Sequence, residues 1–193
     1  MTILNLSAEM ERLIADIVLR MPEFSHIDPA RVLVCVSLTR GGGVHGTYAK
    51  IHPLRFENGI RYKTIRRGLR KYDYEMSIIS HRGVEMLYVI YFLIPRFLNL
   101  PFREKMITLF HELFHISPEF NGDIRRFPGK NYAHGSSTKR YNAQMSKLVE
   151  IYLGQHGDCR PAAFLEGNME EIRERYKTIV GRKLAEPRIK LVK

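Results

Sequence analysis

Apolar and polar positions along the chain follow two periods, and the switches between them outline the elements. Met10, Leu13, Ile14, Ile17 and Val18 recur at helical spacing within Ser7 to Arg20, and Pro22 follows, so an amphipathic helix is predicted there. From Arg31 to Leu38 the β-branched run Val32-Leu33-Val34-Cys35-Val36 lies between Pro29 and the glycines at 41 to 43, which predicts a strand. Met76 to Ser80 and Val84 to Ile94 are two apolar segments joined across His81-Arg82-Gly83. They read as a hairpin, with a helix opening at Met86 to Phe92 as the alternative. Phe102, Met106, Leu109, Phe110, Leu113 and Phe114 cover more than one face of a helix of about 16 residues, started at Asn99-Leu100-Pro101 and stopped by Ser117-Pro118. A further helix is predicted from a cap at Ser136 or Ser137 to about Leu153, with Tyr141, Met145, Leu148, Val149 and Tyr152 as its apolar stripe. Ile172 to Val180 reads as a last helix after Asn168, followed by a basic, extended tail from about Leu184. Helices and strands in this order predict an α+β fold, and 193 residues without repeats or linker-like stretches predict one domain spanning 1–193.

The buried helix at 102–115 changes the picture, because its one polar stripe is Glu104, Thr108, His111 and His115. Within it, His111-Glu112-Leu113-Phe114-His115 is an H-E-x-x-H pattern. Residues i and i+4 share a helix face about 6 Å apart, so two neutral imidazoles reach one Zn²⁺ while Glu112, about 100° around, leans over its open position. A catalytic zinc needs a third protein ligand. His134 is the first candidate, at the entrance of the following helix after a turn-rich segment with Pro118, Gly122, Pro128 and Gly129. Asp123 is the main alternative, with Glu119 and Glu150 behind it. The extended pattern that places a third His six residues after the second is excluded, because Pro118 and Asn121 occupy the positions where it needs Gly and His. Tyr132 and Tyr141 flank the His134 turn and are the candidate oxyanion stabilisers.

His111-Glu112-x-x-His115, followed after a loop by His134-Gly135 at the start of another helix, resembles the SprT-like zinc metallopeptidases. The string from His111 to Phe127 also resembles a group of uncharacterised bacterial metallopeptidases. The resemblance covers about residues 100 to 153 and implies His111, His115 and His134 as zinc ligands and Glu112 as general base. It also implies a zincin-like fold, with a small sheet backing the active-site helix and an edge strand along the cleft. SprT-like proteins often add a cysteine-based zinc ribbon, which Cys35 and Cys159 cannot build.

Charge adds a second theme. The formal net charge is +11. Arg55, Arg61, Lys63, Arg66, Arg67, Arg70 and Lys71 stand against Glu57 alone, interleaved with Tyr62, Tyr72 and Tyr74, so Arg61, Lys63, Arg66, Arg67, Arg70 and Lys71 are candidate nucleic-acid contacts. The glycines at 41 to 43 match no phosphate-binding loop and predict a flexible loop instead. His26, His45, His52, His81 and His156 are isolated in sequence and read as locally bonded side chains. Two distant cysteines and no signal-like segment point to a reducing cytoplasm, and the longest apolar run, Met86 to Pro95, is half of a membrane span. The expectation is a zinc-dependent peptidase acting on proteins or peptides; the competing class is a zinc-stabilised nucleic-acid-binding or adaptor protein.

Overall fold

The computed structural model describes residues 2–39, 46–127, 138–155 and 161–192. In chain order these form β1 (Ile3–Asn5), α1 (Leu6–Arg20), β2 (Val32–Leu38), β3 (Ala49–Pro53), β4 (Tyr62–Arg67), β5 (Arg70–Glu75), β6 (Ser80–His81), β7 (Val84–Glu85), β8 (Tyr88–Ile94), α2 (Phe102–Phe114), α3 (Thr138–Gly154), α4 (Met169–Arg175), β9 (Thr178–Val180) and β10 (Lys190–Leu191). The fold is α+β. Among the described residues no helix is long and apolar enough to cross a membrane.

The centre is a three-stranded sheet in the order β2-β8-β3, with β2 parallel and β3 antiparallel to β8. Tyr88-Val89-Ile90-Tyr91-Phe92 is buried throughout, as a middle strand covered on both faces must be. Alternation sends Val34, Ile90 and Phe92 into the main core against α1, α2 and α3, and sends Leu33, Cys35, Val89 and Tyr91 into a smaller cluster on the opposite face. Residues 76–94 are therefore not one long hairpin. Only β6 and β7 pair with each other, and β8 leaves them for β2. An all-apolar strand gains more from two buried neighbours than from one local partner at the surface.

The end of the chain closes one edge and one face of this sheet. β2 turns its outer edge to Arg182: the Val36 amide donates to the Arg182 carbonyl at 2.8 Å, and the Arg182 guanidinium donates to the Val34 carbonyl at 2.8 Å. Gly181 permits this approach, since a Cβ there would lie 2.6 Å from Val36. The segment continues across the smaller cluster, where the Tyr91 hydroxyl donates to the Ala185 carbonyl, and ends as β10 beside β5. The predicted last helix is shorter than its pattern suggested. A capping box of Asn168 and Glu171 opens α4, which stops at Arg175, and Thr178-Ile179-Val180 instead pairs in parallel with β1. All three of those residues are β-branched, which favours sheet over helix where a strand edge is open.

The helix carrying the H-E-x-x-H pattern spans 13 residues; Pro101, expected at its first helical position, is its N-cap, so the helix begins one residue later. Met106, Leu109, Phe110 and Leu113 are fully buried, and Phe110 meets Phe24 edge-on at 5.3 Å and Tyr152 at 5.7 Å. Lys105 is also buried, its Nζ donating to the carbonyls of Leu165 (2.8 Å) and Gly167. These contacts lock α2 against α3 and the turns at Phe24 and Leu165. The polar stripe is left facing β3.

Candidate metal centre

His111 and His115 stand one turn apart at the C-terminal end of α2, with ring centroids 4.7 Å apart and planes inclined at 76°. His111 Nδ1 lies 3.3 Å from Asn142 Oδ1 on α3. With the proton on Nδ1, donated to that oxygen, Nε2 carries the lone pair that a metal takes. Tyr141 supplies the wall behind both rings: it stacks on His115 at 5.7 Å and meets His111 edge-on at 4.8 Å. Its hydroxyl donates to the His111 carbonyl at 3.4 Å. The candidate oxyanion stabiliser is thus held on the motif helix. Tyr141 is buried, its hydroxyl engages the motif helix, and burial, helped by the nearby Glu112 carboxyl, raises its pKa.

Glu112 lies on the next face of the helix, 7% exposed. Burial pushes its pKa up to about 8, a rise that the nearby Ile51 backbone amide opposes. The register explains why that amide is available. The Leu93 amide donates to the Tyr48 carbonyl and the Leu54 amide to the Leu87 carbonyl, so even-numbered residues of β3 bond to β8 and Ala49 and Ile51 turn their backbone outward. Between that edge and α2 lies an open cleft of about 400 Å³, lined by Thr47, Ala49, Lys50, Ile51, Pro53, His111, Glu112, His115 and Ile124. A second recess of about 230 Å³ adds Tyr48, Glu104, Ile107, Thr108 and Asn142.

The loop after α2 is fastened by groups whose roles the sequence did not reveal. Arg125 returns over the end of the helix. Its amide donates to the His115 carbonyl at 2.6 Å, its Nε donates to the Phe114 carbonyl at 2.8 Å, and its guanidinium lies 4.2 Å from the centre of the Phe114 ring. A cation there satisfies terminal carbonyls and opposes the negative end of the helix dipole. Asp123, the alternative third ligand, is held by four donors. Its carboxylate accepts from the Asn58 amide (3.0 Å), the Ile124 amide (2.8 Å), and Arg126 Nε (3.2 Å) and Nη2 (3.0 Å). Tyr88 completes the knot, its hydroxyl donating to the Asp123 carbonyl and accepting from the Gly122 amide. Gly122 has φ +86° and packs so closely on Arg55 that a Cβ would meet Arg55 Cγ at 2.6 Å.

The other carboxylates weighed as ligands are likewise engaged, Glu119 with the Asn121 side-chain amide and Glu150 with Arg103. Among the described residues no third His, Cys, Asp or Glu joins His111 and His115. His134 and Tyr132 lie outside the described residues, as do Cys159, His45, His156 and the glycines at 41 to 43. The two imidazoles and the buried carboxyl fit a zinc ion as a donor pair with an adjacent proton acceptor. None of Arg61, Lys63, Arg66, Arg67, Arg70 and Lys71 lines the cleft; they stand on or beside β4 and β5.

Compared with known proteins, residues 4–152 match the model of a family described as "Putative phage metallopeptidase". That span runs from β1 to the last turn of α3 and contains the whole cleft. No curated protein and no solved structure matches.

Proposed function

The chain belongs to the putative phage metallopeptidase family, and we propose that it hydrolyses peptide bonds as a zinc enzyme of the H-E-x-x-H type. The observation that carries this reading is the arrangement on α2: two imidazoles with centroids 4.7 Å apart, beside a buried carboxyl that faces the open edge of β3. His111, His115 and His134 would hold the metal, which also fits the resemblance to the SprT-like enzymes and a zincin-like unit spanning 1–193. When bound, zinc supplies Lewis acidity, lowering the pKa of a water toward about 7 and polarising the scissile carbonyl.

The remaining work falls to the chain's own groups. Glu112 takes a proton on its carboxylate and returns it to the leaving amine, and its burial favours holding that proton between the two transfers. The outward backbone of Ala49 and Ile51 gives an extended peptide a strand to pair with, and the largely apolar lining from Ala49, Ile51, Pro53 and Ile124 favours apolar side chains. Recognition through main-chain bonds makes the substrate class a protein or peptide with loose sequence demands. Tyr132, two residues before His134, is the candidate donor to the oxyanion.

A purely structural zinc site has no use for a buried carboxyl beside its ligands, so the peptidase reading is preferred over the adaptor. Glu112→Gln tests it with the least disturbance, because the amide keeps the shape and cannot accept the proton. Hydrolysis of an unstructured protein such as casein should fall by at least about 10²-fold while zinc content and thermal stability hold. Unchanged turnover removes Glu112 from the chemistry.

A further inference from the structure

The basic stretch from 61 to 71 is not one stripe. β4 and β5 pair in the register Lys63↔Tyr74, Ile65↔Tyr72 and Arg67↔Arg70 on alternate rungs, and Tyr62↔Glu75, Thr64↔Asp73 and Arg66↔Lys71 on the others. Alternating residues of a strand point to opposite faces, so each set of rungs belongs to one face of the hairpin. The second face mixes its cations with both acids of the hairpin: Thr64 Oγ1 donates to Asp73 at 2.6 Å, and Glu75 pairs with Arg61, beside that face, and accepts from Tyr62. The first face carries Lys63, Arg67 and Arg70 with Tyr72 and Tyr74, and no acid. All three cations are exposed and both tyrosines are half-buried.

We propose that this first face of the hairpin binds single-stranded nucleic acid. Three cations without a neighbouring acid form an electropositive strip, and Lys63 and Arg67, four residues apart on one strand, are about 13 Å apart along it. Such a strip attracts a polyanion of extended shape, and the two tyrosine rings beside it give bases a surface on which to stack. β10 backs the same sheet, with Leu191 opposite Tyr74, so the platform is three strands wide at its base and the rings rest on a fixed support. The surface is separate from the α2–β3 cleft and does not depend on the peptidase reading.

The test uses the full chain and a fluorescein-labelled oligo-dT, with affinity read by anisotropy at about 0.1 M salt, where the Debye length of about 10 Å limits the influence of charges on the far face. Two variants change charge equally on adjacent rungs: Arg67→Glu with Arg70→Glu on the first face, and Arg66→Glu with Lys71→Glu on the second. The first pair should weaken binding at least about 10-fold and the second less than about threefold, with zinc content and thermal unfolding unchanged in both. Wild type should show a log–log salt slope of about −2, and Lys63→Gln should make it shallower by about 0.7, one phosphate contact. Tyr72→Ala should lose at least about fivefold and Tyr72→Phe almost none, because stacking needs the ring alone. Equal losses for the two charge pairs overturn the assignment in favour of net charge. Duplex DNA bound as tightly as oligo-dT, with no effect of Tyr72→Ala, overturns the single-strand assignment. Binding to phosphatidylserine vesicles and not to oligo-dT replaces it with a membrane surface, and no binding to either leaves the face without this role.

Discussion

The α2–β3 cleft and the β4–β5 hairpin stand on neighbouring stretches of chain and are built in opposite ways. Around the cleft the polar groups that shape it are buried and held largely by backbone: Tyr141 on the His111 carbonyl, and Asp123 on the Asn58 and Ile124 amides, with Glu112 enclosed beside β3. In the hairpin they are many and exposed, and their partners are other side chains across the sheet. Burial gives a polar group a perturbed pKa and a fixed direction, which reaction chemistry needs; exposure leaves a charge screened and adaptable, which suits binding a polyanion. The same contrast distinguishes the two edges of the central sheet. β2 has its outward groups closed by Arg182, whereas β3 faces the cleft with its outward amides, that of Ile51 near Glu112.

If this division holds, substitutions in the two regions separate cleanly. Turnover should separate them most. Glu112→Gln removes at least about 10²-fold of peptide hydrolysis, and Arg67→Glu with Arg70→Glu should leave hydrolysis of a short uncharged peptide within about twofold. A large loss in the hairpin variant would merge the two regions into one site. Stability comes next. Asp123→Ala strands the Asn58 and Ile124 amides and should destabilise by about 3 kcal/mol, lowering Tm by about 6–12 °C, with zinc content unchanged. Loss of zinc in that variant while the fold persists would restore Asp123 as a ligand. Arg125→Ala uncovers the carbonyls at the end of α2 and the Phe114 ring, and about 2 kcal/mol should be lost in chemical unfolding. Leu69, 94% exposed at the hairpin tip, marks the other extreme. Leu69→Ser should move stability by less than about 0.5 kcal/mol.

What the sequence made legible follows from how local each signal is. α1, β2 and α2 repeat their pattern within a few residues, and His111, Glu112 and His115 share one helix, so both elements and motif appear directly. β8 reads as a strand but not with its true partner, because β2 lies more than fifty residues earlier and parallel pairing leaves no turn signal between partners. β9 was taken into a helix because its partner is β1, at the opposite end of the chain. β3 is hard to read in the sequence: its run holds His52 and Pro53, which hide the alternation, yet it walls the cleft opposite Glu112. Asn142 and Arg125 escaped for the same reason, since their targets are defined only once α2 and α3 pack. The division of the basic stretch was closer to reach. Arg67-Gly68-Leu69-Arg70 is a turn, and recognising it would have placed Arg66 and Arg67 on opposite faces.

The central claim is that His111 and His115 hold a zinc ion for which Glu112 serves as proton acceptor and not as ligand. Zinc per chain, measured by atomic emission on protein purified without added metal, tests it across wild type, His111→Ala, His134→Ala and Glu112→Gln. The account predicts about one zinc in wild type and in Glu112→Gln, and near-complete loss in either histidine variant, because two remaining protein donors are too few to retain the ion. Full occupancy in a folded His111→Ala variant would contradict it.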